Sequence, residues 1–154
     1  SHDEAYARVM FLKSVIEDMD GYRIFYINGK PIRRENDLQI MYRLVWYATE
    51  FDVNREVNNG RGPVDFKVSK GSRDATLVEF KLASNTKLKK NLSNQVEIYK
   101  AANCTDRAIK EILYFTEDEC IKVNGILNDL GLQGCPDIVL IDATDNKPSA
   151  SNVG

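Results

Sequence analysis

GPVDFKVSKGSRDATLVEFKLA, residues 62–83, reads as two strands joined by a polar turn. The first strand is Val64 to Val68 and the second Thr76 to Leu82, with Lys70-Gly71-Ser72-Arg73-Asp74 supplying turn chemistry between them. Alternation places Val64, Phe66 and Val68 on one face with Val78, Phe80 and Leu82, and Asp65, Lys67, Glu79 and Lys81 on the other. A hairpin symmetric about Ser72 sets Phe66 across from Val78 and Asp65 across from Glu79, at about 4.5–5.5 Å between Cβ atoms. Two carboxylates so close repel unless a cation lies between them. Hard divalent cations such as Mg²⁺ take oxygen ligands, often one or two carboxylates completed by water and substrate phosphate. Lys81, two residues past Glu79, is placed to stabilise phosphate charge or help activate a water. The outline is metal-assisted phosphodiester hydrolysis. The same alternation also describes the wet face of an ordinary antiparallel ribbon.

The chain of 154 residues is long enough for one domain with a real core, and 43% apolar with 29% charged residues is ordinary for a soluble globular domain. It has no run of about 18 apolar residues that would cross a membrane and no secretory leader pattern. Ser1-His2 resembles the remnant of an expression tag, so a domain cut from a longer protein is expected. Cys104, Cys120 and Cys135 are odd in number and widely spaced, as expected of reduced thiols in a cytoplasmic protein. Net charge is −2, yet residues 55–110 carry 12 Lys/Arg against 6 Asp/Glu, leaving 9 and 17 of the totals of 21 and 23 elsewhere. A basic middle around an acidic site suits a polyanion as substrate. Chance clustering on solvated surfaces would give the same count.

Taken in order, Asp3 to Met19 has helical spacing, and Tyr22 to Ile27 reads as a strand followed by an Asn28-Gly29 hairpin turn. Arg34 to Phe51 reads as a helix whose buried stripe is Leu38, Met41, Leu44, Val45 and Ala48, with Glu35 and Gln39 bordering it. Val53 to Val57 is a candidate short strand. Arg61, in the loop that follows, is a candidate phosphate contact. Ser84 to Leu92 reads as a polar connection carrying Lys87, Lys89 and Lys90, followed by a helix on which Gln95 and Tyr99 are one turn apart. That pair suits a hydrogen bond to phosphate or to the active lysine, and equally suits plain packing by Tyr99. Ala108 to Phe115 is a strand, Glu117 to Leu130 a helix closed by Gly131, and Asp137 to Asp142 a buried strand. Ala143 to Gly154 reads as a polar, frayed tail.

The fold class expected is therefore α/β, a central mixed sheet flanked by helices, within a single domain over residues 3–142. This order and its motifs resemble the PD-(D/E)XK nuclease superfamily, the restriction-endonuclease-like fold, over residues 33–142. The residues that carry the resemblance are Asp65 in GPVDF, Glu79-Phe80-Lys81 as the E-x-K element, Gln95 to Tyr99 as a Q-x-x-x-Y helix motif, and Glu35 as an additional acid on the preceding helix. Two departures stand: Val64 separates Pro63 from Asp65, and the chain has no cysteine set for an iron–sulfur cluster.

The resemblance implies an αβββαβ core and Mg²⁺- or Mn²⁺-dependent cleavage of nucleic acid, DNA more than RNA. Asp65, Glu79 and the Phe80 carbonyl would hold the metal, with Glu35 adding a ligand directly or through water. Lys81 would position or activate water, and Gln95 and Tyr99 would orient Lys81 or a phosphate. Arg61, Lys67, Lys87, Lys89 and Lys90 are the candidate contacts to nucleic acid. Genome defence or DNA processing is the implied setting, with homodimers frequent among similar double-strand cutters. The reading from another class is a nuclease-fold module that binds nucleic acid or protein without cutting.

Overall fold

The computed structural model describes residues 1–58, 63–100 and 106–147. The first helix, α1 (His2–Asp18), buries Ala5, Val9, Leu12 and Ile16, a four-three-four spacing that lines one helical face. The chain then turns sharply at Asp20, whose φ is 61°, and at Gly21, where a Cβ would meet the Val15 carbonyl oxygen at 2.6 Å. The expected strand from Tyr22 is mostly absent. Gly21–Phe25 is a 3₁₀ turn that buries Tyr22 and Phe25, and only Tyr26–Ile27 (β1) is extended, paired with Lys30–Pro31 (β2). Asn28 and Gly29 both have positive φ, as the tight hairpin requires.

The second helix, α2, is Glu35–Val45 rather than the longer span expected to Phe51. Its end has a specific cause. Arg8 of α1 donates to the Val45 carbonyl at 2.6 Å, an acceptor that the last helical turn leaves open, and to the carbonyl of Ala48, beyond the helix, at 2.8 Å. The helix is also rotated from the expected stripe. The stripe holds at Leu38, which is buried, and at Met41 and Val45, which pack partly buried against the core, but the inward face also takes in Gln39 and Tyr42, leaving Leu44 74% exposed, and Ala48 is exposed beyond the helix end. Tyr42 sets this rotation by packing edge-on against Phe66 and Phe80, ring centroids 4.9 and 5.2 Å away.

Five strands form the main sheet in sequence order: β3 (Asp52–Asn58), β4 (Pro63–Lys70), β5 (Asp74–Leu82), β6 (Asp106–Tyr114) and β7 (Ile138–Asp142). β3, β4 and β5 are antiparallel, and β5, β6 and β7 are parallel. The β4–β5 register runs from Lys70 opposite Asp74 to Phe66 opposite Val78, the pairing that symmetry about Ser72 predicts. Helix α3 (Leu88–Lys100) starts inside the stretch read as a polar connection, because Leu88 and Leu92 are both buried. Helix α4 (Glu117–Asp129) opens on Thr116, which accepts from Glu119 N–H, while Glu119 reaches back to Phe115 N–H. It closes on Gly131 with Leu132 N–H bonded to Leu127 and Gly131 N–H to Asn128.

The molecule is thus α/β, a mixed five-stranded sheet between helices. α1 and α2 cover one face over a core that includes Phe66, Val78, Phe80, Ile109 and Ile141. α3 and α4 cover the other face over Leu88, Leu92, Ile112, Val123 and Ile138. Ala143 and Thr144, expected in a frayed tail, are buried: Ala143 N–H continues the pairing to Tyr114, and Tyr26 donates to the Ala143 carbonyl at 2.6 Å. Residues 148–154 of that tail lie outside the described residues. Among the described residues no helix is long and apolar enough to cross a membrane, and Cys120 is a free thiol.

Candidate active site

The site lies where the β4–β5 ladder gives out. Paired residues run as far as Phe66 and Val78, and the next β5 donor facing β4, Phe80 N–H, goes instead to the Asp65 carboxylate, Oδ2 at 2.6 Å. A side chain has taken the place of a strand carbonyl, and it holds Asp65 between the strands. The second oxygen, Oδ1, accepts from the Gln39 amide of α2 at 2.8 Å. Gln39 Oε1 in turn accepts from Arg55 of β3 at 3.0 Å.

Burial raises the pKa of Asp65 above the ordinary carboxylate value; the Phe80 N–H and the Lys81 ammonium act against the rise, and the charges of Glu79 and Glu35 add to it. Glu79, Glu35 and Lys81 therefore all lie close enough to act on the Asp65 charge, although the strand pairing stops at Phe66 and Val78, before Asp65 and Glu79 would face each other. Glu35 enters from the first turn of α2, where Oε1 accepts from Leu82 N–H and the Asn85 amide, both at 3.3 Å. Glu79 and Lys81 are half-buried on the α3–α4 side of β5, as alternation requires.

Two residues absent from the sequence-derived set belong to this neighbourhood. Lys110 of β6 lies directly across from Glu79, and Nζ is 3.2 Å from Glu79 Oε2 and 2.9 Å from the Asn91 carbonyl. Glu111, the next residue, points to the opposite face and is completely buried, with no hydrogen-bond partner among the described residues for either carboxylate oxygen. Burial first, and the Asp65 charge second, hold its carboxyl well above the ordinary range. A sequence signal exists for it: period two places Glu111 between Ile109 and Leu113 on an otherwise apolar face.

The remaining candidates are more scattered. Gln95 and Tyr99 fall on α3, but their side chains lie outside the described residues, as does Arg61. Lys67 is half-buried on β4. Lys87 and Lys90 are exposed at the start of α3, and Lys89 beside them pairs with Asp129 at 3.2 Å.

The donor set is chemically suited to Mg²⁺ or Mn²⁺, being hard carboxylate oxygens under mutual repulsion. It is not gathered into a cage. Among the described residues no three acidic, histidine or cysteine side chains converge to hold a metal, and each of Asp65, Glu79 and Glu35 already has a protein donor. A cation would be held first by Asp65, with water and substrate phosphate completing its shell. Glu79 would join only by exchanging Lys110 for the cation.

A family model described as a domain of unknown function, DUF8371, matches residues 1–117, a span that holds every residue of the site described above. No curated protein and no solved structure matches the chain.

Proposed function

The chain belongs to the DUF8371 family, and from the site within that span we propose a metal-dependent nuclease on a restriction-endonuclease-like core, of the PD-(D/E)XK type. The observation that carries this reading is Asp65, lodged between β4 and β5 with Glu79, Glu35 and Lys81 all acting on its charge. The order of one helix, three strands, helix, strand agrees with it. In this reading Asp65 and Glu79 hold Mg²⁺ or Mn²⁺, with Glu35 and the Phe80 carbonyl as further oxygens. A bound divalent ion supplies an activated water and polarises the phosphoryl oxygen. Lys81 orients that water and steadies the charge that grows on the phosphate. Gln95 and Tyr99 orient Lys81 or the phosphate from α3. The exposed Lys87 and Lys90 lead the backbone of DNA toward the site. The free thiol of Cys120 fits a cytoplasmic protein.

A second reading has an observation of its own. The Glu79–Lys110 ion pair, with no three-carboxylate group among the described residues, favours a nuclease-fold module that binds nucleic acid without cutting it.

The deciding experiment compares wild type and Lys81→Ala on circular DNA, linear DNA and RNA, with Mg²⁺, Mn²⁺ or EDTA. Metal-dependent cutting that falls by about 10²–10³-fold in the variant is expected. Cutting that survives Lys81→Ala removes Lys81 from the chemistry. Folded wild type that neither cuts nor binds Mn²⁺ by calorimetry overturns the nuclease reading, and retention of DNA by that protein in a gel-shift assay then supports the binding module.

A further inference from the structure

We propose that Gln39 and Arg55 are positioning residues for Asp65. Arg55 fixes which way the Gln39 amide faces, and the amide then holds the Asp65 carboxylate with an N–H donor. The inference rests on the nuclease reading of Asp65 and extends it to two residues outside the acidic and lysine motifs.

An amide has one end that only accepts and one that only donates, and the two ends have nearly the same shape. Its orientation is therefore chosen by its neighbours. A guanidinium is donor-only and an ionised carboxylate acceptor-only. With Arg55 3.0 Å from Oε1 and Asp65 2.8 Å from Nε2, both contacts are satisfied. The flipped amide would set oxygen against carboxylate and NH₂ against guanidinium, and Gln39 is buried, so water could not repair the mismatch. Arg55 thus acts as a polarity lock on Gln39. The lock joins three elements, since Gln39 is on α2, Arg55 on β3 and Asp65 on β4.

The consequence falls on the carboxylate plane. Gln39 holds Oδ1 and Phe80 N–H holds Oδ2, so both oxygens are fixed by donors with opposed origins. Each oxygen keeps a second acceptor position for a cation or a water. Groups that orient a metal-binding side chain in this way commonly change affinity or activity by about 10–100-fold when removed.

The test has two arms. The first uses the metal-free protein and no substrate: the side-chain NH₂ signals of Gln39, identified by their loss in Gln39→Met, are followed by ¹⁵N–¹H NMR. One proton should be shifted downfield and slow to exchange. Arg55→Leu, at an exposed position and checked for an intact fold by its backbone amide spectrum, should remove both properties, whereas Arg55→Lys, still donor-only, should keep them. Unchanged signals in Arg55→Leu, or equal loss in the Lys and Leu variants, overturn the lock.

The second arm measures DNA cleavage with Mg²⁺. Arg55→Leu should lower kcat by about 10–100-fold with KM nearly unchanged. A raised KM at constant kcat overturns the proposal and makes Arg55 a phosphate contact. A wild type that never cuts sinks the nuclease reading alone, and the NMR arm still decides the lock.

Discussion

Two consecutive pairs in the β5–β6 ladder treat a carboxylate in opposite ways. Glu79 faces Lys110, and Phe80 faces Glu111. On the α3–α4 side the acid has an ammonium partner at 3.2 Å and keeps some contact with water. On the α1–α2 side, one residue along, the acid is sealed among apolar side chains with no hydrogen-bond partner among the described residues. The first arrangement is the common solution for a half-buried charge. The second is costly, and it lies where its field reaches Asp65. The contrast teaches that this region is organised around electrostatics as well as packing: the sheet pairs one acid with an ammonium on one face and buries a second, without a hydrogen-bond partner among the described residues, on the other.

The largest effect on stability is expected from Glu111. Its pKa is raised in the folded state, so above the ordinary value of 4.5 the unfolded chain loses its proton while the folded chain keeps it. The unfolded state then binds fewer protons, and stability falls as pH rises until the folded group also ionises. Glu111→Gln should flatten this decline, which amounts to about 1.4 kcal/mol for every pH step of one over which the two states differ by a full proton. Asp65 is displaced in the same direction and should leave a smaller slope behind. Urea unfolding at a series of pH values from about 4 to about 9 reads this directly, and an unchanged slope would mean that Glu111 has a partner in solution.

Next in size is Lys110→Met. It leaves Glu79 and the Asn91 carbonyl without their donor and should cost about 1–3 kcal/mol. The same change frees Glu79, so calorimetry should show tighter Mn²⁺ binding than in wild type. Loss of stability with unaltered metal affinity would make the pair purely structural. Smallest is Glu79→Gln, which keeps an acceptor for Lys110 and removes only a partly exposed ion pair, costing less than about 1 kcal/mol. A larger loss in thermal unfolding would show that the two faces of the ladder are not as different as the geometry says.

The hairpin is legible in residues 62–83 because alternation, turn composition and symmetry about Ser72 all agree, and the observed register is the predicted one. Tyr22 to Ile27 misleads because aromatic and β-branched composition suits any half-buried backbone; the turn at Asp20-Gly21 directs it into a 3₁₀ turn instead. The expected stripe on α2 holds at Leu38, Met41 and Val45 but fails at Leu44, which looks like a core residue, because Tyr42 has aromatic partners on the sheet and takes the inward place. That rotation is what brings Gln39 to Asp65, a contact between residues 26 positions apart that no local pattern encodes. Alternation marks Glu111 as an acid on an apolar face, but neither its neighbours nor those of Lys110 are given by a local reading, for a related reason. Their roles depend on the parallel pairing of β6 with β5 across an intervening helix.

Arg8 has a consequence beyond ending α2. A helix of 11 residues is too short to be stable by itself in water. It persists because Leu38 and Tyr42 pack into the core and because Arg8 of α1 grips the Val45 carbonyl at its end and lies over the Trp46 ring, 5.1 Å from the centroid. The two helices therefore belong to one cooperative unit, and amide hydrogens of α2 should exchange no more slowly than those of α1 allow. A fragment cut to residues 33–142 would lose the clasp together with Val9, Leu12 and Ile16 from the core. The N-terminal helix is part of what keeps the floor of the site in register.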